Sequence, residues 1–253
     1  MTRYASSVNF TSDETKHAVR ERVGTIVGTR GPIPLAFWTP ETSCAQRLIL
    51  VGHGASGTKL EGYVVSLARA LVRTHQCAVV AIDGPVHGDR GTSGAASFLN
   101  FGQLWAGDPA MTDSMIEDWQ TTMNALLSTD DVETDALVGY WGLSMGTILG
   151  LPLVAAERRI SAAVLGLMGT TGPTKERLSA DAARIEVPTM FLVQWNDELI
   201  RRDEAINLFG LIGSTDKCLI ATPGSHGQVT VENFHRSAAF LANRLKVPAA
   251  ASK

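Results

Sequence analysis

The sequence has few cysteines and no excess of basic charge. Cys44, Cys77 and Cys218 are odd in number and widely spaced, so they predict neither a disulfide framework nor a paired metal or redox motif. We expect reduced thiols, with Cys77 and Cys218 packed in the core because both lie in apolar runs. With 22 basic against 25 acidic residues, the formal charge of −3 offers no positive field to attract phosphates. Nucleic acid is therefore not an expected partner.

Long hydrophobic runs and metal-ligand clusters are also missing. No window approaches the roughly 18 apolar residues of a membrane span, and the first ten residues lack the apolar segment of a signal peptide. These absences predict a cytoplasmic protein with no membrane partner. No His, Cys, Asp or Glu cluster has metal spacing, so neither a metal nor a cofactor is expected. Residues 247–253 predict a flexible tail, and residues 1–20 are interpreted as an N-terminal extension.

The rest of the sequence alternates short apolar runs with longer amphipathic stretches. This alternation predicts a single α/β domain over residues 1–253, in which helices cover both faces of a mostly parallel, eight-stranded sheet. The first two strands are predicted to form an antiparallel hairpin, because strands joined by so short a turn cannot be parallel. The predicted strands are Arg22–Gly28, Ile33–Trp38, Leu48–Val51, Ala78–Ile82, Leu137–Trp141, Ala162–Leu167, Thr189–Val193 and Lys217–Ala221.

Amphipathic patterns between these strands predict the helices that cross over the sheet. The predicted helices are Leu60–Val72, Ser114–Leu127, Ser144–Ala156, Ile200–Leu211 and Val231–Leu245. The stretch His87–Pro109 is rich in glycine and longer than an ordinary connection. It is open at this point whether that stretch is a surface loop with aromatic anchors or an active-site flap.

The most specific motif is Gly142-Leu143-Ser144-Met145-Gly146, a GxSxG pattern between a predicted strand and a predicted helix. A serine in such a tight turn adopts strained backbone angles, and the two glycines let neighbouring chain approach closely. The hydroxyl then lies at the positive end of a helix. Although the bare pattern also occurs in glycine-rich turns, its strand-turn-helix context predicts that Ser144 is a nucleophile.

A serine nucleophile needs a base, and histidine has the suitable pKa. Among the six histidines, His226 follows the last predicted strand, where a loop can bring its imidazole over the serine. His17 and His75 are predicted on helix surfaces or ends, and His235 within the final helix. His226 is therefore the predicted base.

The base in turn needs an acid to hold its tautomer and stabilise the imidazolium. Asp197 directly follows the strand Thr189–Val193, at the edge where sites in parallel sheets collect. Glu198 and Asp203 are alternatives that chain position favours less. The predicted catalytic residues are Ser144, Asp197 and His226.

With this order of serine, acid and histidine, the chain resembles the α/β-hydrolase fold family from about Arg47 to Leu245. That family places its nucleophile elbow after the fifth strand, its acid after the seventh and its histidine after the eighth, as the three candidates do here. A strand running into Gly52-His53-Gly54-Ala55 is a further point of resemblance. It implies an oxyanion hole formed by the N–H groups of Ala55 and Met145, with His53 stabilising the turn.

Another segment, from Asp83 to Arg90, is similar to an Asp-x-x-x-His-Gly segment whose role in the family is mostly structural. Arginine suits bidentate recognition of carboxylates, so Arg90 is also considered as a clamp for an acidic substrate.

Residues 168–187 leave no room for a large cap, so the chain resembles the dienelactone-hydrolase-like and small carboxylesterase branches. Ser144 stands where dienelactone hydrolases carry cysteine, and where dehalogenases and epoxide hydrolases of related families carry a carboxylate. The resemblance implies hydrolysis of a small-molecule carboxylic ester, or of a related lactone or thioester, through an acyl-enzyme. A carbon–carbon bond hydrolase of the same fold and a non-catalytic small-molecule receptor that retains the triad stay open. The sequence indicates no oligomeric state.

Overall fold

A computed structural model describes residues 7–91 and 93–246 of the chain. The predicted flexible tail, 247–253, lies outside the described residues. Within them the chain forms nine strands and seven α-helices. The strands are β1 (Val8–Lys16), β2 (Val19–Gly28), β3 (Gly31–Pro40), β4 (Ala45–Gly52), β5 (Ala78–Ile82), β6 (Val132–Gly142), β7 (Ile160–Gly166), β8 (Thr189–Gln194) and β9 (Lys217–Thr222). The helices are α1 (Gly62–His75), α2 (Ala95–Gly107), α3 (Met111–Leu126), α4 (Met145–Ala156), α5 (Lys175–Ala182), α6 (Arg202–Leu211) and α7 (Val231–Arg244).

All strands belong to one open sheet with the order β1-β2-β3-β5-β4-β6-β7-β8-β9. The pairings from β1 to β3, and of β3 with β5, are antiparallel. All pairings from β5 to β9 along the sheet are parallel. The prediction of a mostly parallel sheet with an N-terminal antiparallel hairpin is confirmed. Because parallel strands end at the same edge, the loops after β4, β6, β8 and β9 meet there.

The ninth strand is β1, in the segment predicted to be an N-terminal extension. Its residues are mostly polar and exposed, so it carries no apolar run that would signal a strand. It forms by pairing antiparallel with β2 at the sheet edge, where Arg20 binds the carboxylate of Asp13. His17 lies in the tight turn between these two strands with a φ of 52°, so the prediction that it lies on a helix is wrong.

The hydrophobic core has two layers, one on each face of the sheet. Leu48 and Leu50 of β4 pack into one layer, and Ile49 and Val51 pack into the other. Apolar residues of α3, α4, α5 and α6 cover the first face, and those of α1 and α7 cover the second. Central strands covered on both faces read as continuous apolar runs, which explains why the sequence predicts them well.

The three cysteines differ in their surroundings. Cys77 is buried, as predicted, and burial raises the pKa of its thiol to about 11. Cys218 is exposed on β9, so the prediction that it packs in the core is wrong. The reason is that β9 lies at the edge of the sheet, where alternate side chains face outward.

Two helices, α2 and α5, lie in stretches where the sequence predicts no helix. Helix α2 occupies the centre of the stretch interpreted as a loop or flap, and α5 lies before β8. Only Ser97 and Phe101 of α2 are buried, so its sequence carries a weak amphipathic pattern. In the described part of the chain, no helix is both long and apolar enough to cross a membrane.

Candidate active site

Ser144 forms the turn between β6 and α4, with φ 58° and ψ −118°. Positive φ is strained for a residue with a side chain, so the surrounding bonds must hold it. Its N–H donates to the carbonyl of Gly166 at 3.0 Å, and its carbonyl accepts the N–H of Thr147 at 2.8 Å. The hydroxyl is thereby presented at the N-terminus of α4, above the carboxyl edge of the sheet.

The two glycines of the GxSxG motif permit close backbone packing. A Cβ atom on Gly146 would lie 2.6 Å from the carbonyl oxygen of Gly52, and one on Gly142 would lie 2.7 Å from the carbonyl oxygen of Gly146. Both distances are shorter than real Cβ contacts. A side chain at Gly146 would push the serine turn away from the end of β4, and one at Gly142 would push it away from the first turn of α4.

The predicted catalytic residues form one hydrogen-bonded relay. His226 Nε2 lies 2.9 Å from Ser144 Oγ, and His226 Nδ1 lies 2.8 Å from Asp197 Oδ2. The other carboxylate oxygen, Oδ1, accepts the N–H groups of Leu199 and Ile200 at 2.8 and 2.9 Å. Because an ionised carboxylate only accepts, Nδ1 carries the ring proton and Nε2 faces the serine hydroxyl as an acceptor. This is the tautomer that a general base requires.

Neither alternative acid reaches the imidazole. Glu198 is exposed, and its carboxylate accepts the backbone N–H of His226 at 2.9 Å, which holds the pKa of Glu198 below its usual value. Asp203 pairs with Arg201 at 2.7 Å on the surface. Glu198 therefore fixes the histidine loop by a contact that no sequence pattern indicates.

His53 orients the peptide that contains the N–H of Ala55. Gly84 N–H donates to His53 Nε2 at 2.9 Å, so the opposite nitrogen, Nδ1, carries the proton. Nδ1 lies 2.9 Å from the carbonyl oxygen of Gly54, which shares its peptide group with that N–H. Burial lowers the pKa of His53 to about 4, so the ring stays neutral. The expected turn-stabilising role has this physical basis.

A second histidine, His87, contacts the carbonyl oxygen of Ala55. His87 is buried, and its Nε2 lies 2.7 Å from Ala55 O while its Nδ1 lies 2.7 Å from Pro85 O. Ser97 Oγ, from α2, donates to the same Ala55 oxygen at 3.1 Å. Within the described residues, no acceptor pairs with the N–H of Ala55 or of Met145. The sequence signal for His87 is its His-Gly turn, which predicts a structural role.

Asp83 and Arg90 serve other contacts. The buried Asp83 accepts hydrogen bonds from the Lys59 ammonium at 2.7 Å and from the Lys59 and Asp89 N–H groups, which supports a structural role. Arg90 donates to Asp118 at 2.6 Å and lines a 350 Å³ cavity. Among the described residues, that cavity shares none with those at Ser144. The structure thus does not bring Arg90 to the cavities at Ser144, and its role as a clamp for an acidic substrate stays a prediction.

Two cavities meet at Ser144, with volumes of about 450 and 290 Å³. They share Ala55, Phe98, Ser144, Leu199 and His226. The other residues that line them are mostly apolar or aromatic, as in most small-molecule sites. In the part of the chain that the structure describes, no group of three His, Cys, Asp or Glu side chains is arranged to hold a metal.

Several known proteins are similar to this chain in fold. The chain is similar to a cold-adapted esterase from an Arctic intertidal metagenomic library, with 34% identity, a TM-score of 0.86, and coverage of 95% of this chain and 100% of that one. An acetyl xylan esterase from Paenibacillus sp. R4 is 17% identical with a TM-score of 0.73, over 94% of this chain and 88% of that one. Acetyl xylan esterase 1 from Thermoanaerobacterium sp. JW/SL YS485 is 16% identical with a TM-score of 0.72, over 96% and 89%. No protein-family model and no curated protein sequence matches the chain.

The two more distant similarities show the fold alone, whereas the first covers nearly the whole of both chains at an identity that shows the family. The chain belongs to the α/β-hydrolase family. Within that family it is a carboxylesterase-like hydrolase.

Proposed function

We propose that the chain is a serine hydrolase that cleaves a carboxylic ester of a small molecule through an acyl-enzyme. Ser144 is the nucleophile, His226 the general base, and Asp197 the acid that orients it. The observation that carries this proposal is the relay of 2.8 and 2.9 Å hydrogen bonds on a strained serine turn. A nucleophile, a base within reach, and an acid that holds the base define nucleophilic catalysis geometrically.

The proposed reaction has two halves. As Ser144 Oγ attacks the acyl carbon, His226 Nε2 takes the hydroxyl proton, and the N–H groups of Ala55 and Met145 stabilise the oxyanion. His226 then gives that proton to the alcohol oxygen as the ester C–O bond breaks. In the second half His226 deprotonates a water, which attacks the acyl carbon, and Ser144 regains its proton. Neither half requires a metal or a cofactor.

The surroundings of the relay support a small and uncharged substrate. Among the described residues, no Lys, Arg, Asp or Glu lines either cavity at Ser144. An ionic substrate group would find no opposite charge there to offset its loss of hydration. Lactones and thioesters fit the same relay, so they belong to the proposed range of substrates. The proposed partner is a small molecule.

Turnover of p-nitrophenyl butyrate tests the proposal. Ser144→Ala and His226→Ala should each lower kcat by about 10⁴-fold or more, because each removes a member of the relay. Ser128→Ala, an exposed serine whose hydroxyl bonds only a helix carbonyl, is the matched control and should keep wild-type activity.

The proposal fails if Ser144→Ala matches the wild-type protein on this ester and on a wider panel of esters, lactones and thioesters. That outcome would favour a small-molecule receptor or a carbon–carbon bond hydrolase.

A further inference from the structure

The two cavities at Ser144 lie over opposite faces of the sheet. Phe101, Ile148 and Met168 line the 290 Å³ cavity and belong to the core layer covered by α3 to α6. Trp141 and Leu143 line the 450 Å³ cavity and belong to the layer covered by α1 and α7. Ser144 therefore lies at the junction, on the edge that separates the two faces. A bound ester would extend across this edge with one group on each side.

The direction of proton transfer decides which group lies on which side. The alcohol oxygen must lie near His226 Nε2, because it receives the proton when the C–O bond breaks. Gly227 and Val229, which follow that histidine in the chain, line the larger cavity only. Met145, whose N–H is assigned to the oxyanion, and Ile148 on the same helix line the smaller cavity only.

We infer that the 290 Å³ cavity binds the acyl group and the 450 Å³ cavity binds the alcohol group. This assignment rests on the proposed esterase function and deepens it by naming the substrate class. Because neither lining includes a charged side chain among the described residues, the substrate is an uncharged ester with an apolar group on both sides of the carbonyl.

The size of the smaller cavity limits the acyl group. At about 30 Å³ for a water-sized group, 290 Å³ holds roughly ten non-hydrogen atoms. Trp105 is a fixed part of its wall, since the indole N–H donates to Thr174 Oγ1 at 2.8 Å. A Cβ on Gly172 would lie 2.2 Å from the Trp105 ring, so the ring packs directly on that backbone. Acyl chains of medium length therefore fit within this cavity, and longer chains would extend beyond it.

Two substitutions narrow the cavities separately. Gly102 lines only the acyl cavity, and a Cβ there meets nothing within 4 Å, so Gly102→Leu adds bulk on α2 without a backbone clash. Val229 lines only the alcohol cavity and is half-buried, so Val229→Phe adds bulk there. The rates to compare are kcat/KM for p-nitrophenyl esters from acetate to octanoate, and for acetates of methanol, butanol and 1-naphthol.

The inference predicts opposite responses. Gly102→Leu should lower kcat/KM for the octanoate relative to the acetate by about tenfold or more, and leave the ranking of the alcohols unchanged. Val229→Phe should lower kcat/KM for 1-naphthyl acetate relative to methyl acetate by a similar factor. It should leave the ranking of the acyl groups unchanged. Thermal unfolding of both variants confirms that they are folded.

The outcomes separate this inference from the proposed function. If wild-type protein hydrolyses esters but the two responses are exchanged, or each variant affects both series equally, the assignment of cavities is wrong and the esterase proposal stands. If the wild-type protein hydrolyses no ester in either series, the proposed function fails and this assignment fails with it.

Discussion

At the scale of single residues, the site depends on histidines with different protonation requirements. His226 must exchange a proton with Ser144, so it lies half-buried beside a carboxylate. His53 must stay neutral, since one ring nitrogen accepts from Gly84 N–H while the other faces the Gly54 carbonyl. Burial keeps His53 neutral, because a desolvated imidazole resists protonation.

The neutral state of His53 predicts that folding stability falls on acidification. Its folded pKa of about 4 is below the ordinary value of 6.5, so the unfolded chain binds more protons between these limits. The stability contribution is complete above about pH 6.5 and is lost as the pH falls to about 4. Urea unfolding at several pH values measures it.

His53→Asn provides the comparison. The variant should start less stable at pH 7 but lose less free energy of unfolding between pH 6.5 and 4 than the wild-type protein does. Parallel curves for the two proteins over this range would contradict a neutral, buried His53.

His87 provides a second residue-scale prediction. Its Nε2 and the Ser97 hydroxyl both contact the carbonyl of Ala55, whose N–H is the proposed oxyanion donor. Replacing His87 with Phe leaves that carbonyl held by the serine alone. We expect kcat to fall by about 10- to 100-fold with little change in KM, because a small misplacement affects the transition state more than substrate binding. Steady-state kinetics measure this split, and partial rescue by His87→Gln distinguishes a hydrogen bond from packing. An unchanged kcat would refute the positioning role.

At the scale of elements, strands were easier to predict than the helices near the site. The buried strands of the parallel region have apolar runs set by two covered faces, so their sequence alone identified them. Strand β1 is polar and takes its structure from pairing with β2, which no local pattern reveals. Helix α2 buries one serine and one phenylalanine, too few to produce a helical repeat. Both elements depend on tertiary partners.

Phe101 attaches helix α2 to the body of the protein. Phe101 is 3% exposed and packs between the rings of His87 and Trp105, with centroid distances of 5.9 and 6.0 Å. Phe101→Ala should cost about 3 kcal/mol of stability, or should release α2 from the body of the protein. Limited proteolysis within residues 91–108 and urea unfolding detect these two outcomes. Leu99→Ala, at a position 65% exposed on the same helix, is the control. Its free energy of unfolding should stay within about 0.5 kcal/mol of the wild-type value. Equal behaviour of the two variants would contradict the anchoring role of Phe101.

At the scale of the whole molecule, the sheet order explains why distant residues meet. Ser144 follows β6, Asp197 follows β8 and His226 follows β9. These strands are parallel to one another and end at a common edge of the sheet. The sequence predicted these three side chains because each lies within a few residues of the end of a predicted strand. It could not predict the contact of Glu198 with the histidine loop or that of Ser97 with Ala55, because these depend on how loops fold over the edge.

The central claim is that Ser144 is acylated during turnover. The most direct test mixes excess p-nitrophenyl acetate with the protein, follows p-nitrophenol release in the first turnover, quenches with acid, and locates the acetyl group by peptide mass spectrometry. We predict a burst of about one p-nitrophenol per chain and an acetyl group on Ser144, both absent from Ser144→Ala. An acetyl group found on another residue, or a burst that persists in Ser144→Ala, would contradict it.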